Sequence, residues 1–353
     1  MTRRSSNWMG CFLIGATGEG ITRTGEALLG GVSDDPYDVR TFVRFVNPPG
    51  SQAHVGTELI SVSEHTLLER GYLADARETT RGVNQAGLAF TCAAVFEVDG
   101  VDAKEGQSQA RPFAEVTHDL MTRCDTVDDA VALFESKGRT DPPVAVLLAD
   151  AKGDLAHVEI GSFGVGVHQR FSRETPGMVF AVNCYLSREL VGKNASNAVL
   201  EDERNNNLAR RRRGRQLADE ARGALDVPAI ARILSDHAND ERDPLDNPLL
   251  PGWGYSICNH GTRRAHDYTM EDLPWGTVSA EILDPSAGTL WYAYGWPCGR
   301  PREYDDQLYQ DRSWGKFLPF SLRDFQREKA EEWIELTKPT GELIRDAGGK
   351  PIR

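Results

Sequence analysis

The chain has 353 residues, with 40 Lys and Arg against 53 Asp and Glu, a formal net charge of −13 and a sequence pI near 5.2. Apolar residues make up 40% and charged residues 26%, as in a soluble globular protein long enough to bury its own core. The acidic balance disfavours a dedicated nucleic-acid binder, whose phosphate contacts need a net basic face. No apolar run approaches the ~18 residues of a membrane helix. The opening MTRRSSNWMG lacks the apolar stretch of about 7–15 residues that a secretory signal requires, so a cytoplasmic location is expected.

Cys11-Phe-Leu-Ile-Gly15 is a short apolar run that reads as a strand. Gly18, Gly20 and Gly25 punctuate the chain after it, and Glu26 to Gly30 forms a second run. Val39 to Val46 alternates, with Val39, Thr41 and Val43 against Arg40, Phe42 and Arg44. These features predict antiparallel hairpins rather than βαβ units. Gly87 to Phe96 is another apolar strand.

Phe113, Val116 and Leu120 have helical spacing, and Asp125 to Asp129 opens a second helix with acids in its first turn. Ala145–Asp150 and Ala156–Ile160 form a hairpin about Lys152-Gly153-Asp154. Met178 to Asn183 is a strand, and residues 198–236 are helical with a break near Asp226-Val227-Pro228. Trp275–Leu283 and Thr289–Tyr294 make a hairpin around Asp284 to Gly288, and Asp324 to Leu336 reads as a charged helix. Strand blocks alternate with helix-pair blocks, which predicts an α+β protein of layered antiparallel sheets.

Six cysteines (Cys11, Cys92, Cys124, Cys184, Cys258, Cys298) are spread along the chain without CxxC spacing, which predicts reduced thiols rather than a zinc ribbon. Gly10-Cys11 is the segment that carries chemistry. Cleavage there would leave one residue with both a thiol, of pKa about 8.5, and a free α-amine, of pKa about 7.7–8.0. Nucleophile and base would then need no separate histidine. The alternative is a buried structural cysteine.

Further segments come in a set order. Gly10-Cys11-Phe12 is followed by Gly30-Gly31-Val32-Ser33-Asp34, then Gly82-Val83-Asn84-Gln85-Ala86-Gly87-Leu88, then Asp150 through Glu159. After these come Val182-Asn183-Cys184-Tyr185, Leu234-Ser235-Asp236-His237, Ile257-Cys258-Asn259-His260 and Gly295-Trp296-Pro297-Cys298. Together they resemble the cysteine-type N-terminal nucleophile (Ntn) hydrolases, in particular the penicillin acyltransferase-like family, which includes isopenicillin-N acyltransferase and carcinine-hydrolase-type enzymes. The likeness runs from about residue 10 to residue 300.

The resemblance implies an α+β, four-layer αββα sandwich of two stacked antiparallel sheets. It implies a propeptide, residues 1–10, removed by autocleavage at the Gly10–Cys11 junction, then an Ntn hydrolase domain over 11–300 and a C-terminal helical extension over 301–353. Cys11 would be the nucleophile, Asp34 the carboxylate that orients its α-amine, and Asn183 the oxyanion donor. Asn84 stands where related bile-salt hydrolases place a backbone oxyanion contact, or else only shapes the turn before Gly87. Asp34 also has an ordinary reading, as a turn residue in Asp34-Asp35-Pro36.

The chain departs from the family pattern at several positions. Gly31 stands for Arg or Gln, Val32 for Asn, Cys184 for His and Asn259 for Arg, with Arg263 and Arg264 as conceivable substitutes for the missing cation. Cys258, His260, His266 and His237 could be drawn as a zinc set, but C-x-H-x₅-H is not a usual spacing, and no metal or cofactor is expected. Arg210 to Arg213, with Arg204 and Arg215, reads as a solvated helix face flanked by acids, or else as a patch for nucleic acid or an anionic ligand such as the phosphates of an acyl-CoA.

The function so implied is hydrolysis of the amide bond of a small N-acyl compound through a thioester. The alternatives are an acyl-CoA-dependent N-acyltransferase, and a non-processed binding protein of the same fold. The expected partners are a small-molecule amide substrate and, for the transferase, acyl-CoA, with no nucleic acid and no membrane. A homo-oligomer is compatible with the chain. Trp253, Tyr255, Tyr292 and Trp296 are candidate pocket residues whose ordinary reading is core.

Overall fold

The computed structural model describes residues 11–36, 39–61, 79–98, 100–195, 206–236, 256–259, 275–298, 316–324 and 331–335. The strands are β1 (Phe12–Thr17), β2 (Leu28–Pro36), β3 (Val39–Val46), β4 (His54–Ser61), β5 (Arg81–Asn84), β6 (Ala89–Ala94), β7 (Arg111–Pro112) and β8 (Thr140–Asp141). They continue with β9 (Val144–Ala149), β10 (Leu155–Gly161), β11 (Gly164–Phe171), β12 (Gly177–Val182), β13 (Trp275–Asp284), β14 (Thr289–Tyr294), β15 (Leu318–Ser321) and β16 (Glu331–Glu335). The described helices are α1 (Val101–Gln109), α2 (Phe113–Arg123), α3 (Val127–Lys137), α4 (Asn206–Glu220) and α5 (Val227–Leu234).

Among the described residues two antiparallel sheets carry the architecture, a six-stranded one ordered β12-β1-β2-β13-β14-β15 and an eight-stranded one ordered β11-β10-β9-β6-β5-β4-β3-β16. β7 and β8 form a small parallel pair apart from them. Period-two alternation sorts β1 between two interiors. Cys11 and Leu13 join the core between the sheets, while Phe12, Ile14 and Ala16 join the core beneath α4 and α5. All six residues of β1 are buried, which its unbroken apolar run requires. A third core packs α2 and α3 on the outer face of the eight-stranded sheet through Leu88, Phe90, Leu120, Phe134 and Leu148. The result is the expected α+β, αββα layering of two stacked sheets.

Local signals explain the helix ends. Thr126 and Asp129 form a capping box at the start of α3, and the Asp226 side chain caps α5 ahead of Pro228. That cap separates α4 from α5 where the sequence predicts the break. Gly214 is needed for a close approach: a Cβ there would stand 2.1 Å from Cζ of Phe12. Its absence lets α4 lie against the first strand.

The chain end departs from expectation. The charged helix read over Asp324–Leu336 contains a strand instead, β16, which pairs antiparallel with β3 at the sheet edge. β15 likewise extends the other sheet beside β14. So the described elements of 301–353 are strands, not a helical extension. Glu331-Glu332-Trp333-Ile334-Glu335 has a charged composition that resembles a helix surface, but Ile334 is buried and pairs with Val43 across the ladder. Partner strands outweigh local propensity here. Among the described residues, no helix is long and apolar enough to cross a membrane.

Candidate active site

The order of strands gathers the candidate residues. β12, β1, β2 and β13 are adjacent, so the end of β12, the start of β1 and the middles of β2 and β13 meet at one rim of the six-stranded sheet. Phe12 pairs with Val182 on one side and Val32 on the other. The residues just outward are Asn183, Cys11 and Ser33, with Asp34 beyond. Asp34 pairs with Thr277, and the register shifts between Thr277 and Ser279, a bulge that sets Thr277 against the carboxylate.

The contacts are short and buried. The Cys11 backbone N–H donates to Asn183 Oδ1 at 2.7 Å. Asn183 Nδ2 donates to the Ala94 carbonyl at 2.8 Å, which ties the residue to the facing sheet. Asp34 Oδ1 accepts from Thr277 Oγ1 at 2.7 Å, and Oδ2 accepts from Asn259 Nδ2 at 3.3 Å. The Asp34 backbone N–H hydrogen-bonds the Cys11 thiol. Cys11, Asp34 and Asn183 are each buried, at 8%, 1% and 0% exposure. Three of the residues singled out from sequence therefore converge on one spot.

Asn84 has a different role. Its Oδ1 accepts from the Leu88 N–H at 2.9 Å, and its Nδ2 donates to the Met121 and Cys124 carbonyls at 3.2 and 2.8 Å. Its backbone N–H is given to the Leu88 carbonyl. The bonds to Leu88 close the turn and engage the N–H an oxyanion contact would need, while the Nδ2 bonds tie the turn to the end of α2. Gly10, His237, His260, His266, Arg204, Arg263, Arg264, Trp253 and Tyr255 lie outside the described residues. Of the zinc set only Cys258 is described. Among the described residues no group of three or more His, Cys, Asp or Glu side chains is placed to hold a metal ion.

Two arginines that sequence reasoning did not place in the site are its main charges. Arg210, the first of the arginine run, is fully buried rather than solvated. Its Nη1 lies 3.6 Å from Asp34 Oδ2, and its Nη2 donates to Asn183 Oδ1 at 3.3 Å and Asn207 Oδ1 at 2.9 Å. Helical period places Arg210, Gly214 and Ala218 on the inward face of α4. Arg212 and Arg215 remain exposed, while Arg213 makes a two-pronged pair with Asp236 at 3.0 and 2.8 Å. The solvated-face reading therefore holds for two of the run and fails for Arg210. A period count marking residue 210 in phase with the small Gly214 and Ala218 was the available signal.

Arg81, at the start of β5, crosses from the facing sheet. Its Nε donates to Thr91 Oγ1 at 2.7 Å and its Nη2 to the Val32 carbonyl at 3.0 Å; its Nη1 pairs with Ser33 and with Glu281. A Cβ on Gly31 would stand 3.3 Å from Arg81 Nε. The Arg or Gln that the resemblance expects at position 31 is replaced by glycine, and a guanidinium from another strand lies over it.

Electrostatics follow from this burial. Desolvation pushes the Cys11 thiol above its ordinary value, with Arg81 opposing the shift and Asp35 and Asp34 adding to it. Burial raises Asp34 to about 7, against the pull of Arg210, Thr277 and Asn259. Arg210 is itself lowered by burial, with Asp34 opposing. A buried carboxyl lifted toward neutrality close to a thiol is the kind of perturbed pair that clusters at reaction centres.

No family model matches the chain, and no curated protein matches it. Solved structures do. A mutant of conjugated bile acid hydrolase from Clostridium perfringens superposes with a TM-score of 0.54 at 12% identity, covering 95% of this chain and 99% of that one. Penicillin V acylase from Agrobacterium tumefaciens gives a TM-score of 0.50 at 13% identity, covering 97% and 99%. At these identities the likeness establishes the fold, and the fold is that of the Ntn hydrolases.

Proposed function

We propose that this chain is an amide hydrolase that matures by cutting itself before Cys11 and then cleaves a small N-acyl compound through a thioester. The observation that carries the reading is the bond from the Cys11 nitrogen to Asn183 Oδ1, formed while the thiol lies against the Asp34 N–H. The same nitrogen is the leaving group of self-cleavage and, once freed, the base of the later reaction. The site holds it before either step.

In self-cleavage the Cys11 sulfur attacks the Gly10 carbonyl carbon, the C–N bond breaks, and the thiol proton passes to the departing nitrogen. Water then hydrolyses the Gly10 thioester and frees residues 1–10. In turnover the α-amine takes the thiol proton and the sulfur attacks the substrate carbonyl. The second N–H of Asn183 Nδ2 meets the oxyanion, the kind of donor whose loss costs on the order of 10²–10³ in rate. The ammonium returns its proton to the leaving amine. Water, deprotonated by the α-amine, then releases the acid. Asp34, held by Thr277, Asn259 and Arg210, keeps the α-amine oriented throughout. An acyltransferase would share every step up to the thioester and differ only in the nucleophile that resolves it.

Intact-mass spectrometry of the purified protein tests the reading. The expected result is loss of residues 1–10 with no second large chain, abolished by Cys11→Ala, and release of free acid from simple N-acyl amides. A full-length chain inert to thiol probes at Cys11 overturns it in favour of a non-catalytic binding protein. N-acyl product from an acyl-CoA and an amine would mark the transferase.

A further inference from the structure

Cys258 and Cys298 read from sequence as reduced thiols, and the tertiary structure brings their segments to the same end of α5. Cys258 is fully buried and Cys298 half-buried, and no disulfide joins them. Burial pushes the Cys258 thiol well above its ordinary value, and the Cys298 side chain and backbone are the neighbours that act on it. The end of α5 holds both segments in place. Asp236 O accepts the Cys258 N–H at 3.2 Å, and Ser235 Oγ donates to the Pro297 carbonyl at 3.0 Å. The Gly295 N–H, at the other end of the Cys298 turn, donates to Val278 O beside the β13 bulge at 2.7 Å.

The residue after Cys258 belongs to the catalytic network. Asn259 Nδ2 donates to Asp34 Oδ2, and its backbone brackets Thr277: its N–H donates to Thr277 Oγ1 at 2.8 Å and its carbonyl accepts the Thr277 N–H at 2.7 Å. Asp34 in turn places its N–H on the Cys11 sulfur. Cys258 is therefore one peptide from a group that orients the proposed nucleophile.

We infer that Cys258 and Cys298 are a reversible oxidation site, closing to a disulfide under hydrogen peroxide and thereby disturbing the Asn259–Asp34–Cys11 chain. Cys298, the more exposed sulfur, attacks the peroxide; the O–O bond breaks, a sulfenic acid forms and the first water leaves. The Cys258 sulfur then attacks that sulfur, the S–O bond breaks, the S–S bond forms and a second water departs. Two thiols are oxidised by two electrons and one peroxide is reduced to two waters. A disulfide holds its two Cβ atoms about 3.5–4.5 Å apart with a fixed torsion. The Cys258 backbone must meet that demand, and Asn259 moves with it. The link to Cys11 rests on reading Cys11 as the nucleophile; the cross-link itself does not.

The test uses the full chain as purified, with hydrogen peroxide as the oxidant. Non-reducing peptide mapping is expected to find the Cys258 and Cys298 peptides joined, about 2 Da below their summed mass. Iodoacetamide labelling of Cys11 is expected to slow about tenfold and to recover with dithiothreitol. The Cys298→Ser variant is expected to keep its Cys11 labelling rate through the same mild treatment. Absence of the joined peptide overturns the site. A joined peptide with unchanged Cys11 labelling overturns the coupling, as does a Cys298→Ser protein that loses labelling as fast as the parent. A protein inactive on every amide would still give the peptide map, so failure of the proposed activity is distinguishable from failure of this site.

Discussion

Arg210 Nη1 lies 3.6 Å from Asp34 Oδ2, with both side chains buried, and the same guanidinium reaches Asn183 Oδ1. One helix residue thus touches the two groups that hold the Cys11 nitrogen and thiol. Arg210→Met removes the cation that favours the Asp34 carboxylate, so the Asp34 pKa rises beyond about 7. The expected result is an acid limb of the kcat/KM profile displaced to higher pH, with Arg210→Lys intermediate. A rate profile of unchanged shape in the Met variant, however reduced in height, refutes the coupling.

Asp34 also sets a stability dependence. Burial raises its folded pKa from 3.8 to about 7, so the folded state keeps the proton to higher pH than the unfolded state. Its contribution to folding is full below about pH 4 and is lost as pH rises through about 7. In the uncleavable Cys11→Ala chain, denaturant midpoints should fall across this window. Asp34→Asn should flatten the fall, and a curve with the opposite slope contradicts the assignment.

Asn183→Ala deletes both the acceptor for the Cys11 nitrogen and the proposed oxyanion donor. Single-turnover rates should drop on the order of 10²–10³, mainly in kcat. Self-cleavage should slow as well, followed by mass spectrometry over hours. An effect confined to KM would move Asn183 to substrate binding only.

Arg81 and Glu281 form an ion pair at 1% exposure each. Burial raises the Glu281 carboxyl, and Arg81 opposes this. Removing one partner of such a pair typically costs about 3–5 kcal/mol, because the other charge stays buried and unpaired. Glu281→Ala should therefore lower stability in chemical denaturation by about that amount. The Arg81→Met, Glu281→Leu double variant should recover part of it. Equal losses in the single and double variants would argue against the pair.

Gly214→Ala puts a methyl 2.1 Å from the buried Phe12 ring. Overpacking of this kind costs about 1–3 kcal/mol, more than the roughly 1 kcal/mol that alanine gains over glycine in a helix. The variant should melt lower and label faster at Cys11, since α4 carries Arg210. Adding Phe12→Leu should restore part of the melting temperature in differential scanning calorimetry.

The layered hairpins, the helix pair under its capping box and the break before Pro228 were legible because each depends on residues a few positions apart. Cys11, Asp34 and Asn183 were legible for another reason: their segments keep an order that resembles a family. Arg210 was misread because charge runs are usually solvated, and only the packing of Gly214 on Phe12 turns that helix face inward. The tail was misread because Glu331 to Glu335 is charged enough for a helix, yet β3 offers it an open edge.

By itself the sequence marked the first strand and the cysteine at its head, the hairpins about Gly153 and Gly288, and the helix break before Pro228. The tertiary structure alone decided what surrounds that cysteine. Cys11 meets Asn183 across 172 positions, Asp34 meets Thr277 across 243, and Arg81 meets Glu281 across 200. Pairings of that range depend on which strands become neighbours in a sheet. Strand order is settled by burying three cores at once, and no local propensity encodes it.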